Sequence, residues 1–346
     1  MYQELASLGL KPEDVLDFSV STNPFMPPPG IEAVLAGSAV QCYPDSRCTE
    51  LAEKLASRLA VKTENILVAS GTTELIRLAA TTYFRRGDTV LLIEPTYGEY
   101  EPAIRLAGAR PLKHCLREEA LFSPDATAIR ELVTNLRPRA VFLCNPNNPT
   151  GLLYSRKDIE DIVEVLGDTL LLLDEAYMTF TSKAGWYSLD LIDRANVVVM
   201  RSMTKDYGLP GLRLGYAVAR PGIIETLRIA LPPWNVNAPA QQAGLFVLDQ
   251  ADYLEQTLLR LNEAKDYLVR ELTGLGLLVY PSKAGFFLVR VGNGTEFRRT
   301  LLEKGIMVRD CASFGLPACI RLAPRSIPDC EKLVAAVADI VKGAVR

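Results

Sequence analysis

The chain has 346 residues, 49% of them hydrophobic, and a formal charge of −3. That length allows two domains, or one large domain with an appendage, and the composition supplies a sizeable core. The mildly acidic balance gives no basic face of the kind that binds nucleic acid, and no apolar run approaches membrane-spanning length. No nucleic-acid or membrane partner is therefore expected.

The first residues, MYQELASLGLKPEDVLDF, hold no basic stretch followed by an apolar one, so no secretion signal is expected. The segment up to about Gly30, with NPFMPPPG, reads as an extended arm. Short apolar runs follow: ILVAS (66–70), TVLLIEP (89–95), AVFLCNP (140–146), TLLLLDE (169–175) and NVVVMRS (196–202). None alternates cleanly with polar residues, which is how strands covered on both faces read. Helical patterns such as TELIRLAATTYFRRG and RKDIEDIVEVLG separate them. Strand alternating with helix predicts an α/β layer architecture with a mostly parallel sheet.

The proline-rich LPPWNVNAPA (231–240) suits a boundary. Beyond it the pattern predicts one long helix from about Gln241 to Leu272, then strands LGLLVYPS and GFFLVRV, a short helix, strands IMVRD and CIRLA, and a final helix. This is a smaller α+β unit. The expected division is 1–40 as an N-terminal arm with part of the small domain, 41–238 as the large domain and 239–346 as the small C-terminal domain.

The seven cysteines are scattered, odd in number and without a Cys-x-x-Cys. Neither a disulfide framework nor a zinc site is expected; reduced thiols in a cytoplasmic protein are. The one histidine, His114, lies in no motif and is assigned a surface or packing role.

In open parallel sheets, ligands bind beyond the carboxyl ends of the strands. Here those ends carry Gly71, Thr72 and Thr73; Thr96 and Tyr97; Asn148 in NPNNPTG; Asp174 and Tyr177; and Ser202, Thr204 and Lys205. Each group alone is ordinary, since a glycine–threonine turn is more often a helix cap than an anion site. Together they offer an amine, a carboxylate, a phenol, an amide, an aromatic ring and an anion-sized nest. Pyridoxal 5′-phosphate needs such a set: a Schiff-base lysine, a carboxylate beside the pyridine nitrogen, donors at the ring oxygen, a stacked ring, and a helix N-terminus for the phosphate. A dinucleotide site fits less well, because no G-x-G-x-x-G follows a strand.

NPNNPTG, LLLDEAY, SMTKDYGLPGLRLGY, PTYGEY and YPD resemble, in family order and over nearly the whole chain, the motifs of fold type I pyridoxal-phosphate enzymes of the aminotransferase class I/II superfamily. Within it, FSVSTNP, PWNVNA and GIMVRDCASFG look most like histidinol-phosphate aminotransferases and the related threonine-phosphate decarboxylases. The resemblance implies a large domain with a mostly parallel seven-stranded sheet between helices. It implies Lys205 as the Schiff-base lysine that also carries the proton between substrate and cofactor. Asp174 would pair with the pyridinium nitrogen, Asn148 and Tyr177 would bond the ring oxygen, and Tyr97 would stack on the ring. Gly71, Thr72, Thr73, Ser202, Thr204 and Arg213 would form the phosphate site. Tyr43 would reach the cofactor of a neighbouring subunit, implying a homodimer with shared active sites. Arg321, Arg309 and Asn23 would contact the substrate. The implied reaction is transamination of a phosphorylated amino compound, L-histidinol phosphate with 2-oxoglutarate; decarboxylation of L-threonine O-3-phosphate is the alternative. Thr204 stands where a serine is common, Thr73 where an acidic residue is common, and the His-Gly-Gly of the decarboxylase branch is absent.

Overall fold

The computed structural model describes residues 2–7, 9–181, 188–194 and 196–344. Thirteen strands are present among them. β1 is Leu16–Asp17. A large sheet is built from β2 (Ile66–Ala69), β3 (Thr89–Glu94), β4 (Arg110–Cys115), β5 (Ala140–Cys144), β6 (Leu170–Asp174), β7 (Val197–Ser202) and β8 (Gly215–Ala219). The C-terminal part contributes β9 (Leu278–Val279), β10 (Phe287–Arg290), β11 (Ile306–Met307), β12 (Arg309–Asp310) and β13 (Cys319–Leu322).

The large sheet has seven strands in the order β2-β8-β7-β6-β5-β3-β4. Only β8 runs against its neighbours, β2 and β7. Alternate residues of each strand enter separate cores: Val141, Leu143, Leu171, Leu173, Val197 and Val199 on one face, and Phe142, Leu170, Leu172, Val198 and Met200 on the other. Both faces are covered, which explains unbroken apolar runs without alternation. Two strands lay outside those runs. β4 is a half-exposed edge reading RPLKHC, and β8 is the short GYAVA. Because β2, β3, β5, β6 and β7 all point the same way, their carboxyl ends share one edge.

The C-terminal unit is an antiparallel sheet in the order β12-β13-β10-β9. It packs on helices Ala251–Gly274 and Ile327–Ala344 through Leu268, Leu272, Phe287, Val289, Ile320 and Leu333. The sequence IMVRD does not form one strand. It breaks at the buried Val308, so that β11 pairs with β1 and β12 with β13. The N-terminal segment is likewise not extended throughout. Tyr2–Ser7 is helical, Leu5 packs on Leu302 and Met307, and Glu4 pairs with Arg298 at 2.5 Å. The helix expected over 241–272 is two, Ala238–Leu248 and Ala251–Gly274. Lys54 and Arg58 bond the carbonyls of Leu245 and Leu248 at 2.9 and 2.8 Å, and Lys54 pairs with Asp249. Cations on the last carbonyls of a helix favour its ending there, and apolar periodicity does not register that.

Among the described residues no helix is long and apolar enough to cross a membrane, and no cluster of potential metal ligands occurs.

Candidate active site

A cavity of about 140 Å³ opens at the strand ends, walled by Thr72, Thr73, Tyr97, Cys144, Asn148, Asp174, Ala176, Tyr177, Ser202, Thr204, Lys205 and Arg213. Ten of these come from the predicted set. Cys144 and Ala176 were not singled out.

Asp174 ends β6 and is 2% exposed. Its Oδ2 accepts from Tyr100 Oη at 2.8 Å and its Oδ1 from the Ala176 amide at 3.0 Å. Burial raises the carboxyl to about 6; the Tyr100 hydroxyl and the Ala176 amide pull it back toward the anion. Tyr100 is the site residue the sequence reading missed. It is fully buried, its ring lies parallel to Phe142 at 4.7 Å, and it stands three residues beyond Tyr97 in PTYGEY, at the start of the helix Tyr100–Leu106. The signal was the second tyrosine of that motif.

Lys205 leaves the end of β7 in a turn secured by its carbonyl, which accepts from the Asn23 amide at 2.8 Å. Burial, then the cations Arg321 and Arg213, lower its amine to about 8 against the pull of Asp174. A fraction of that amine is neutral at ordinary pH, which an exposed lysine is not.

The opposite end of the cavity is a cradle for an anion. Gly71, at φ 81°, precedes the helix Thr72–Tyr83, whose first amides lack intrahelical partners. A Cβ on Gly71 would lie 2.9 Å from Arg213 Nη2, so the guanidinium rests on a site that only glycine leaves open. Arg213 itself has φ 57°. Ser202 and Thr204 hydroxyls bond each other at 2.8 Å, and Thr73 and Tyr97 approach at 3.4 Å. Helix N-terminal amides, four hydroxyls and a guanidinium suit a phosphate dianion.

Tyr177 is buried edge-on against Phe286 at 4.8 Å. Arg321, on β13, reaches across from the C-terminal sheet and donates to Asn148 Oδ1 and, at 2.9 Å, to the Ser19 carbonyl. Its guanidinium stands 5.0 Å over the Phe286 ring. Burial lowers its affinity for a proton, and its Nε has no hydrogen-bond partner. Arg309 lies directly opposite Arg321 on β12 and donates to Ser313 Oγ at 2.9 Å.

Five predicted residues are not on the cavity wall: Gly71, Arg309 and Arg321, placed above, and Asn23 and Tyr43. Asn23 is buried with both ends of its amide engaged: Nδ2 donates to Thr257 Oγ1 at 2.8 Å, and Oδ1 accepts from the Phe25 amide. Tyr43 is 80% exposed, its ring 4.6 Å from that of Trp234. His114 sits half-buried on β4, also outside the cavity.

A doubly covered α/β sheet whose strand ends bring an amine, a buried carboxylate and an anion cradle into one cavity is the framework of a cofactor-holding enzyme. The model of the aminotransferase class I and II family matches residues 13–337, and the chain belongs to that family. The curated histidinol-phosphate aminotransferase of Moorella thermoacetica is 36% identical over 341 residues, which covers 96% of this chain and 87% of that protein. The crystal structure of histidinol-phosphate aminotransferase from Sinorhizobium meliloti, in complex with pyridoxal-5′-phosphate, shares the fold with a TM-score of 0.89 at 23% identity, covering 98% of this chain and 94% of that one. The crystal structure of L-threonine-O-3-phosphate decarboxylase from Porphyromonas gingivalis matches with a TM-score of 0.82 at 28% identity, over 95% of this chain and 100% of that one.

Proposed function

We propose that this chain is an aminotransferase that moves the amino group of L-histidinol phosphate to 2-oxoglutarate. Pyridoxal 5′-phosphate is the cofactor; when bound it supplies an electron sink beside the substrate's α-carbon. The donor set fits it. A buried carboxylate kept toward its anion suits a protonated ring nitrogen, and a cradle closed by glycine, hydroxyls and a guanidinium suits the phosphate.

The observation that carries the reading is the sharing of one cavity by Lys205, with a lowered amine, and Asp174, with a raised carboxyl. Groups tuned in opposite directions within one cleft are what acid–base chemistry near neutral pH requires. In this reading Asp174 holds the charge on the ring nitrogen, oriented by Tyr100 and the Ala176 amide. Lys205 Nζ would take up the proton that the substrate's α-carbon loses and pass it on to the cofactor. Tyr97 would stack on the cofactor ring, and Asn148 and Tyr177 would bond its ring oxygen. Gly71, Thr72, Thr73, Ser202, Thr204 and Arg213 hold the phosphate.

Arg321 and Arg309, cross-strand neighbours, supply two guanidinium groups for the substrate's own phosphate. The likeness to the Moorella histidinol-phosphate aminotransferase supports histidinol phosphate as that substrate. Exposed Val40, Tyr43 and Trp234 support a homodimer in which Tyr43 reaches the partner's site. Both substrates and the cofactor are small molecules.

The likeness to the Porphyromonas structure supports a second reading, decarboxylation of L-threonine O-3-phosphate. The cofactor residues would be shared by both. The two reactions differ in which bond of the α-carbon breaks, and Arg309 and Arg321 would decide that by how they orient the substrate. Holoenzyme given L-histidinol phosphate and 2-oxoglutarate is expected to yield glutamate. Carbon dioxide from L-threonine O-3-phosphate, with no glutamate from the first pair, would replace the first reading by the second. Silence with both would reject both substrates.

A further inference from the structure

Glu74 stands in the first turn of the helix that opens the anion cradle. A carboxylate there suits the helix N-terminus, while its like charge disfavours an incoming dianion. Its Oε2 accepts two bonds, from the Ser70 amide and from Asn235 Nδ2, both at 2.6 Å. The first donor belongs to the cradle turn. The second belongs to the segment that precedes the helix Ala238–Leu248.

That segment is tied again at the helix N-cap, and the helix itself one turn further on. Asn237 Nδ2 donates to the carbonyl of Leu212, the neighbour of Arg213, at 3.2 Å. Gln241 Nε2 donates to the Asp45 carbonyl at 2.9 Å, two residues beyond Tyr43. Just before these ties, Trp234 has φ 56° and lies on the Tyr43 ring at 4.6 Å. A bulky residue in the left-handed region persists only where its surroundings hold it there. One side of the segment thus grips the cradle, and the other carries the exposed aromatic pair.

We infer that Glu74 is a positioning residue through which occupancy of the anion cradle is transmitted to Trp234 and Tyr43. The inference rests on the cofactor reading above, because an anion must enter the cradle for anything to be transmitted. The contacts run without a gap from the Ser70 amide through Glu74 and Asn235 to Trp234 and the Tyr43 ring. By reciprocity, whatever fixes the Tyr43–Trp234 pair tightens anion binding by the same factor.

The test uses the full chain carrying Trp186→Phe, which leaves Trp234 as the remaining tryptophan of the two. Apo-protein is titrated with inorganic phosphate, which does not absorb tryptophan emission, and separately with pyridoxal 5′-phosphate for affinity. Phosphate is expected to shift Trp234 emission in the parent and in Glu74→Gln, which keeps an oxygen for both donors. Glu74→Ala and Asn235→Ala are expected to lose the shift and to bind the cofactor about five- to tenfold more weakly. Asn235→Ala breaks the link from the other side, so a folding defect of the Glu74 variant does not decide the matter. A retained shift in Glu74→Ala or Asn235→Ala, or no shift in a parent that binds both anions, overturns the inference alone. A parent that binds neither anion overturns the cofactor reading together with it.

Discussion

Tyr100→Phe removes one oxygen from the most enclosed part of the site. The ring's parallel contact with Phe142 survives the change, so the packing is preserved. The lost bond, Tyr100 Oη to Asp174 Oδ2 at 2.8 Å, lies where the two residues are 0% and 2% exposed. A hydrogen bond to a charged group contributes about 1.5–3 kcal/mol, and one pH unit corresponds to about 1.4 kcal/mol. The Asp174 carboxyl is therefore expected to rise from about 6 by roughly one to two pH units. At pH 7 its ionised share would fall from about nine-tenths to between about one-half and one-tenth. Titrating apo-protein with pyridoxal 5′-phosphate across pH 5.5–9 reads this directly. The acid side of the affinity profile should move upward in the variant, while the alkaline side, governed by Lys205, stays in place. An acid limb unmoved within about 0.3 pH units would refute the argument that Tyr100 holds Asp174 toward its anion.

Four other outcomes follow from the same geometry. Because folding raises the Asp174 carboxyl from 3.8 to about 6, its proton stabilises the fold below the unfolded value, and that stabilisation is lost as pH rises through about 6. Asp174→Asn should then raise the apo-protein's stability at pH 8, by up to about 3 kcal/mol, with no gain at pH 3, as read by urea denaturation. Lys205 is lowered to about 8, so the rate of covalent cofactor capture, trapped with borohydride, should climb through pH 8 and level off above it; a profile flat from pH 7 to 9 would contradict that. Arg321→Ala strands the Asn148 oxygen and the Ser19 carbonyl and should lower kcat/KM by about 10²–10³-fold. Arg309→Ala, at an exposed position, should cost about tenfold or less, mostly in KM.

Much of the site was legible in the sequence because topology does the gathering. Once five apolar runs are read as parallel strands, whatever follows each run shares one edge, and Thr72, Tyr97, Asn148, Asp174 and Lys205 meet without their distances being known. Roles that depend on a side chain's direction were not legible. Tyr100 reads as a core aromatic until the turn from Tyr97 carries its hydroxyl to a carboxylate on another strand. Asn23 reads as a candidate contact until Thr257, 234 residues away, claims its amide. The break at Val308 and the split between Leu248 and Ala251 follow from partners supplied elsewhere in the chain, β1 for the one and Lys54 with Arg58 for the other. Periodicity records which face of an element is buried, so the sequence by itself determined the layers and the edge where chemistry collects. Which donor meets which acceptor across that edge is a long-range matter, and the tertiary structure alone decided it.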